Sequence, residues 1–89
     1  MELIVNGSFY RDIAAYTNHN LLEAVYATMN NVENAKSKAS ICQLIKLRQY
    51  KIFYRIKIAN DYRIGIIIRK NTVWFVRFGH RSTFYKYFP

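Results

Sequence analysis

One alternation constrains this chain more than anything else in it. Between Tyr50 and Arg81 the even positions are apolar in three successive runs: Ile52, Tyr54, Ile56 and Ile58; then Tyr62, Ile64, Ile66 and Ile68; then Trp74, Val76 and Phe78. Odd positions are mostly cationic or small, as at Lys51, Arg55, Lys57, Arg63, Gly65, Arg69, Arg77, Gly79 and Arg81, with Phe53, Ile67, Val73 and Phe75 among them. A period of two in β-branched and aromatic residues predicts antiparallel strands with one face on a core. The positive charge is then expected on the other face.

Residues directly opposite in an antiparallel pair share a face, so the alternation also constrains the turns. Loops of three residues satisfy it. Ala59-Asn60-Asp61 would pair Ile58 with Tyr62 and set Lys57 opposite Arg63, while Lys70-Asn71-Thr72 would pair Arg69 with Val73 and set Arg63 opposite Gly79. Such loops need a left-handed residue, and Asn60 and Asn71 are the expected ones. Three strands would then crowd cations on one surface, a cost more easily accepted if a polyanion is the ligand.

At 89 residues the chain has room for one small core, and residues 1–89 are expected to form a single domain. Its net charge of +9 is unevenly spread: residues 1–45 carry three cations and four acids, residues 46–89 eleven cations and only Asp61. That asymmetry points to nucleic acid or another acidic partner for the second half. The single Cys42 excludes an internal disulfide, and with only His19 and His80 beside it no zinc site is expected. No cofactor, metal or membrane partner is expected, and the composition fits a soluble, unexported protein of the cytoplasm.

Upstream, Leu3-Ile4-Val5 predicts a short strand and Asn6-Gly7 a turn. Ser8 is the expected N-cap of a helix reaching about Thr17 on Phe9, Ile13 and Tyr16. Asn20 with Glu23 resembles a capping box for a second helix to about Ala35, striped by Leu21, Leu22, Val25, Met29 and Val32. His19 reads as a surface residue. Residues 36–49 are expected to be loop with at most one helical turn, anchored by Ile41, Leu44, Ile45 and Leu47, with Cys42 as a small core residue. The aromatic end, Phe84, Tyr85, Tyr87 and Phe88, should fold back on the sheet. The expected whole is an α+β, two-layer domain: N-terminal strand, helical hairpin, then a three-stranded antiparallel meander, with the helices on one face.

Tyr54-Arg55-Ile56-Lys57, Asp61-Tyr62-Arg63-Ile64, Phe78-Gly79-His80-Arg81, Tyr85 and Phe88-Pro89 together resemble the RelE/ParE superfamily of bacterial type II toxins. Gln49 and Asn60 stand where that family usually has Gly. The resemblance implies a toxin silenced by a cognate antitoxin. It also implies one of two activities, ribosome-dependent messenger RNA cleavage or, alternatively, gyrase inhibition without nuclease activity. A non-enzymatic basic RNA-binding module is the third reading. The endonuclease branch uses basic residues on adjacent strands, an Arg at the end of the last strand and a downstream Tyr, which match Arg55, Lys57, Arg63, Arg81 and Tyr85.

The chemistry asks for the same groups. Cleavage through the 2′-hydroxyl needs that oxygen deprotonated, the phosphate charge stabilised and the leaving 5′-oxygen protonated. The basic face has one carboxylate, Asp61, so a metal-independent route is expected. Arg63 and Arg81 can fork onto phosphate oxygens. Lys57, crowded by arginines, is the candidate general base, its ammonium disfavoured by like charges. Tyr85 can stack on a splayed base or orient the phosphate. His80 is an acid-base group whose even number points it to the core unless the strand end bulges. Lys51, Arg55 and Arg77 are the expected RNA-binding residues around this centre. The expected partners are the ribosome, messenger RNA and a small acidic antitoxin lying across the sheet or displacing the Tyr85 region, with Phe53 and Phe75 supplying apolar contact.

Overall fold

Five strands, rather than four, make the sheet in the computed structural model, which describes residues 1–89. In chain order the elements are β1 (Glu2–Val5), α1 (Gly7–Ala14), α2 (His19–Asn34), β2 (Leu44–Lys46), β3 (Phe53–Ile58), β4 (Tyr62–Arg69) and β5 (Thr72–His80). Short 3₁₀ turns lie at Lys38–Ser40 and Phe84–Lys86. Strand order is β1-β5-β4-β3-β2, with β1 parallel to β5 and every other pair antiparallel. The expected meander is therefore the centre of the sheet. β2 is the addition, formed where a loop was expected, and it pairs Leu44 with Ile56 and Ile45 with Arg55.

The core lies between the helices and one sheet face. Phe9 and Ile13 of α1 and Leu21, Val25 and Val32 of α2 are buried with Tyr54, Ile56, Ile58, Ile64, Ile66 and Ile68. The even positions of β3 and β4 thus face the helices as their pattern requires. β5 departs from this. Val73 and Phe75 are its fully buried residues, Trp74 faces the other way, and only at Phe78 does the even parity return. A bulge accounts for the switch. Gly65 pairs with Arg77 and Ile66 with Phe75, so Val76 is the extra residue.

The second hairpin also differs. Arg69 pairs with Thr72 across a two-residue turn, and the left-handed residue is Lys70, at φ 54°, in place of Asn71. A turn one residue shorter and a bulge one residue longer offset each other, so Arg63 still sits opposite Gly79. The first hairpin has the expected three-residue loop, with both Ala59 and Asn60 left-handed. Gln49 does not adopt positive φ, so the position makes no demand for Gly; Gln43 does, at 61°.

Several local expectations change. Asn6, not Ser8, occupies the cap of α1, which stops at Ala14, three residues before Thr17. The Ser8 hydroxyl instead donates to the Val76 carbonyl at 2.5 Å. Beyond Val5, β5 has no strand on that side, and α1 supplies the missing partners for the edge. α2 is capped by Asn18, whose Oδ1 accepts from Leu21 N–H at 3.0 Å; no capping box forms at Asn20, and Glu23 pairs with exposed His19 at 3.0 Å. Of the anchors in residues 36–49, Ile41 is buried but Ile45 is 50% exposed. Cys42 is exposed, contrary to its expected place in the core. It immediately precedes Gln43, where the backbone turns left-handed before β2.

Candidate nucleic-acid interface

The face away from the helices is graded in cross-strand rows. One row runs Lys57, Arg63, Gly79; the next Ile45, Arg55, Gly65, Arg77; the third Phe53, Ile67, Trp74, Ile4. Charge is concentrated at one end of the sheet and apolar area at the other. The face is not open throughout. With the helices on one side, the aromatic C-terminus has only this side to cover, and Phe84 and Phe88 are buried against it. Phe88 lies on Gly65 so closely that a Cβ there would stand 2.7 Å from the ring. It also meets Phe53 edge-on, with ring centroids 5.6 Å apart.

At the charged end the sequence-predicted residues are held differently from one another. Lys57 is exposed, opposite Arg63. Arg63 is folded onto the first hairpin: one terminal nitrogen donates to the carbonyls of Asn60 at 2.8 Å and Tyr62 at 2.9 Å, and its buried Nε–H has no acceptor. Arg81 follows the end of β5, 62% exposed, with Nε 3.2 Å from Asp61 Oδ1. Its backbone N–H also donates to the Asp61 carbonyl at 2.8 Å, tying the end of β5 to the β3–β4 loop. Beside them, Gly79 has open space where a side chain would project. Each arginine is thus drawn to an oxygen of the hairpin, so the crowding of guanidinium charge expected around Lys57 is relieved.

His80 stays on the helix-facing side, paired with Tyr62, since the bulge in β5 lies four residues earlier and has already restored the even parity. Its ring meets Tyr62 edge-on at 5.3 Å. The Ser82 N–H donates to its Nδ1 at 3.1 Å, which places the proton of a neutral ring on Nε2. Tyr16, Tyr62 and Phe78 complete the aromatic group beneath, and burial is the main cause that raises the Tyr16 phenol above 10.0, with Tyr62 and the Asp12 carboxylate adding to it. Tyr85 projects from the Phe84–Lys86 turn, half exposed, its ring edge-on to buried Phe84.

Two expected RNA contacts lie elsewhere. Arg77 is committed to Asp12 of α1 through two hydrogen bonds, Nε to Oδ2 at 2.7 Å and Nη2 to Oδ1 at 3.1 Å, and its guanidinium lies 5.3 Å from the Tyr87 ring centre. Asp12 Oδ2 also takes the Phe78 N–H at 2.9 Å, so this pair is a structural clasp between α1 and β5. Lys51 is not on the charged face at all. The alternation slips before β3 begins: Ile52 joins Ile67 and Trp74 around one hollow, whereas Lys51 lines another with Tyr54 and Ile68. Arg55 keeps its expected place, in the row beside the charged end. The residues that sequence reasoning passed over are Asp12 and Ser82, and of these only Asp12, the lone acid in α1, gave any signal in the sequence; Asn60 was expected as a turn residue and not as an acceptor for Arg63.

No three His, Cys, Asp or Glu side chains come together in the fold. No helix is long and apolar enough to cross a membrane.

Comparison with known proteins bears on this geometry. Residues 8–85 match the family model described as ParE toxin of type II toxin-antitoxin system, parDE. The chain is 29% identical over 90 residues, with all of both chains covered, to Toxin RelE3 of Methanocaldococcus jannaschii. Its fold is similar to a chain in the crystal structure of the RelB-RelE antitoxin-toxin complex from Methanococcus jannaschii, with TM-score 0.77, 27% identity and coverage of 97% of this chain and 99% of that one. YafQ from E. coli shares the fold alone, with TM-score 0.63 at 14% identity over 92% of this chain and 94% of that one. By the match over residues 8–85 and the full-length likeness to RelE3, the chain belongs to the RelE/ParE superfamily of type II toxin-antitoxin toxins.

Proposed function

We propose that this chain is a metal-independent endoribonuclease that cuts messenger RNA on the ribosome. The observation that carries the reading is the row Lys57, Arg63, Gly79 with Arg81 beside it: cations on two adjacent strands and just past the end of a third, around a position that has no side chain. A phosphodiester can lie over Gly79 with guanidinium groups on either side. Arg81 is free to turn to it, because its pair with Asp61 is exposed and such pairs are worth only about 0–1 kcal/mol. Arg63 carries an Nε–H with no acceptor, an arrangement that costs about 1–3 kcal/mol when buried and is relieved if the side chain swings out to a phosphate.

In this reading Lys57, acting as the free amine, takes the proton of the 2′-hydroxyl, Arg63 and Arg81 hold the phosphate oxygens as charge develops, and the leaving 5′-oxygen takes its proton from water, because His80 lies on the other face of the sheet. Tyr85 stacks on or orients the substrate, and Arg55 meets the flanking backbone. Arg77 contributes by holding α1 to β5 rather than by touching RNA.

The partner that silences it is a small acidic antitoxin crossing the same face, a reading supported by the RelB-RelE complex to which the fold is similar. Phe75 has no part in that contact, since it is fully buried under the helices. Trp74 and the exposed Ile4 and Ile45, around Phe53, provide the apolar area instead.

The ParE description of the matching family model favours a second reading, gyrase inhibition by protein contact. Inducing the chain in cells and mapping messenger RNA 5′ ends separates the two. Cuts within codons support the nuclease. DNA breaks with intact messenger RNA would replace it with the gyrase reading.

A further inference from the structure

At the far end of the sheet, on the helix-facing side, four lysines line one hollow of about 390 Å³: Lys36, Lys38, Lys51 and Lys70. Tyr54 and the start of the chain at Met1 complete it. Rise along β4 puts this hollow roughly 20 Å from the Arg63 row, and on the opposite face. No carboxylate pairs with any of the four. Of the five acids, Asp12 pairs with Arg77, Asp61 with Arg81 and Glu23 with His19, while Glu2 accepts from the Thr72 hydroxyl and Glu33 makes no ion pair. The Met1 amino group is tied to the carbonyls of Glu33 and Ala35, both at 2.9 Å, and so belongs to the wall. Lys38 is steadied by the Tyr54 hydroxyl at 3.2 Å.

A concave site lined by one sign of charge focuses its field on anions. Two features go beyond a solvated basic surface. The cations are gathered around a hollow rather than spread, and one is kept at a backbone position that disfavours it. Lys70 occupies the left-handed position of the two-residue turn, where Gly would be unstrained.

We propose that this hollow is a second phosphodiester site, one that grips the RNA backbone at the end of the sheet away from the cutting row and supplies affinity rather than chemistry. The inference rests on the RNA-directed reading above, but its test does not require cleavage. The probe is a single-stranded RNA oligonucleotide with 2′-O-methyl sugars, which lacks the nucleophile and stays intact. Its affinity for the chain is measured against salt.

Each lysine that neutralises a phosphate contributes about 0.7 to the slope of log affinity on log salt. Lys70→Gly should lower that slope by about 0.7 while leaving the thermal midpoint at or above that of the parent chain, because it relieves the turn. Combining it with Lys36→Gln, Lys38→Gln and Lys51→Gln should lower the slope by about 2 to 3. Arg11→Gln, which removes one exposed charge on α1, should leave it unchanged. An unchanged slope in the fourfold variant, or an equal fall in Arg11→Gln, overturns the site. Parent chain that cuts messenger RNA while the fourfold variant binds as before refutes this site alone. Lysine-dependent binding by a chain that never cuts refutes the nuclease reading and leaves the site standing. No binding by the parent refutes both.

Discussion

Substituting Gly65 by Ala should undock the C-terminus from the sheet. The Cβ would stand 2.7 Å from Cγ and Cδ1 of Phe88, closer than packed carbons tolerate, and β4 at the centre of the sheet cannot retreat. Phe88 is the side that yields, since it lies outside the sheet and beyond the Phe84–Lys86 turn. The cost is bounded by what Phe88 gains from docking, about 1.5–3 kcal/mol for a phenylalanine going from exposed to the 2% exposure it has here. Against that, Ala in a strand interior is better than Gly by roughly 0.5–1 kcal/mol. A loss of about 1–2 kcal/mol is therefore expected for Gly65→Ala alone. In a Phe88→Ala background the ring atoms that the Cβ meets are gone, and the same change should turn stabilising by about 0.5–1 kcal/mol. Equilibrium urea denaturation of the four proteins in the cycle measures this. An equal destabilisation in both backgrounds would show that Phe88 is not what Gly65 accommodates.

Asp12→Asn should cost about 2 kcal/mol, the range for hydrogen bonds to charged groups, because the negative charge is lost and one of the two acceptor oxygens becomes an NH2 group facing a donor; urea denaturation should show it, and a change under 0.5 kcal/mol would contradict the clasp. The Tyr16 phenol has a raised value in the fold, so the stability linked to it is complete below its unfolded value near 10 and is lost as pH climbs through the folded value. Tyr16→Phe should therefore flatten the fall in stability above pH 10 and leave the profile below pH 9 unaltered in shape; an unchanged alkaline fall would refute it.

Legibility varied with how many independent signals a segment carried. β3 and the first hairpin were readable to the residue pair, because apolar and cationic side chains alternate from Tyr54 to Ile58 and resume with Tyr62-Arg63 after a three-residue loop. In Val73-Trp74-Phe75-Val76 every residue is apolar, so no alternation says which side faces the helices, and the bulge that reverses them could not be seen. The position of Arg63 opposite Gly79 was reached through two offsetting errors in the turn and the strand. β2 is three residues long, too short for a period to show. In the site, the count of cations was visible and their commitments were not. Nothing local links Arg77 to Asp12, 65 residues earlier, yet that contact removes Arg77 from the RNA-facing set. Lys51 was misplaced by a slip of one residue before β3, and that slip puts it in the lysine hollow.

The central claim is that the cationic row around Gly79 performs RNA cleavage. Its most direct test is a single-turnover assay in which purified chain meets ribosomes carrying a defined messenger RNA, with Arg81→Ala run beside it. The parent chain should cut within the codon in the decoding site. The folded variant should be slower by about a hundredfold or more, since losing one preorganised charge donor typically costs ~2.7–4 kcal/mol of barrier. Near-parental cutting by Arg81→Ala, or no cutting by a parent chain that binds those ribosomes, would contradict it.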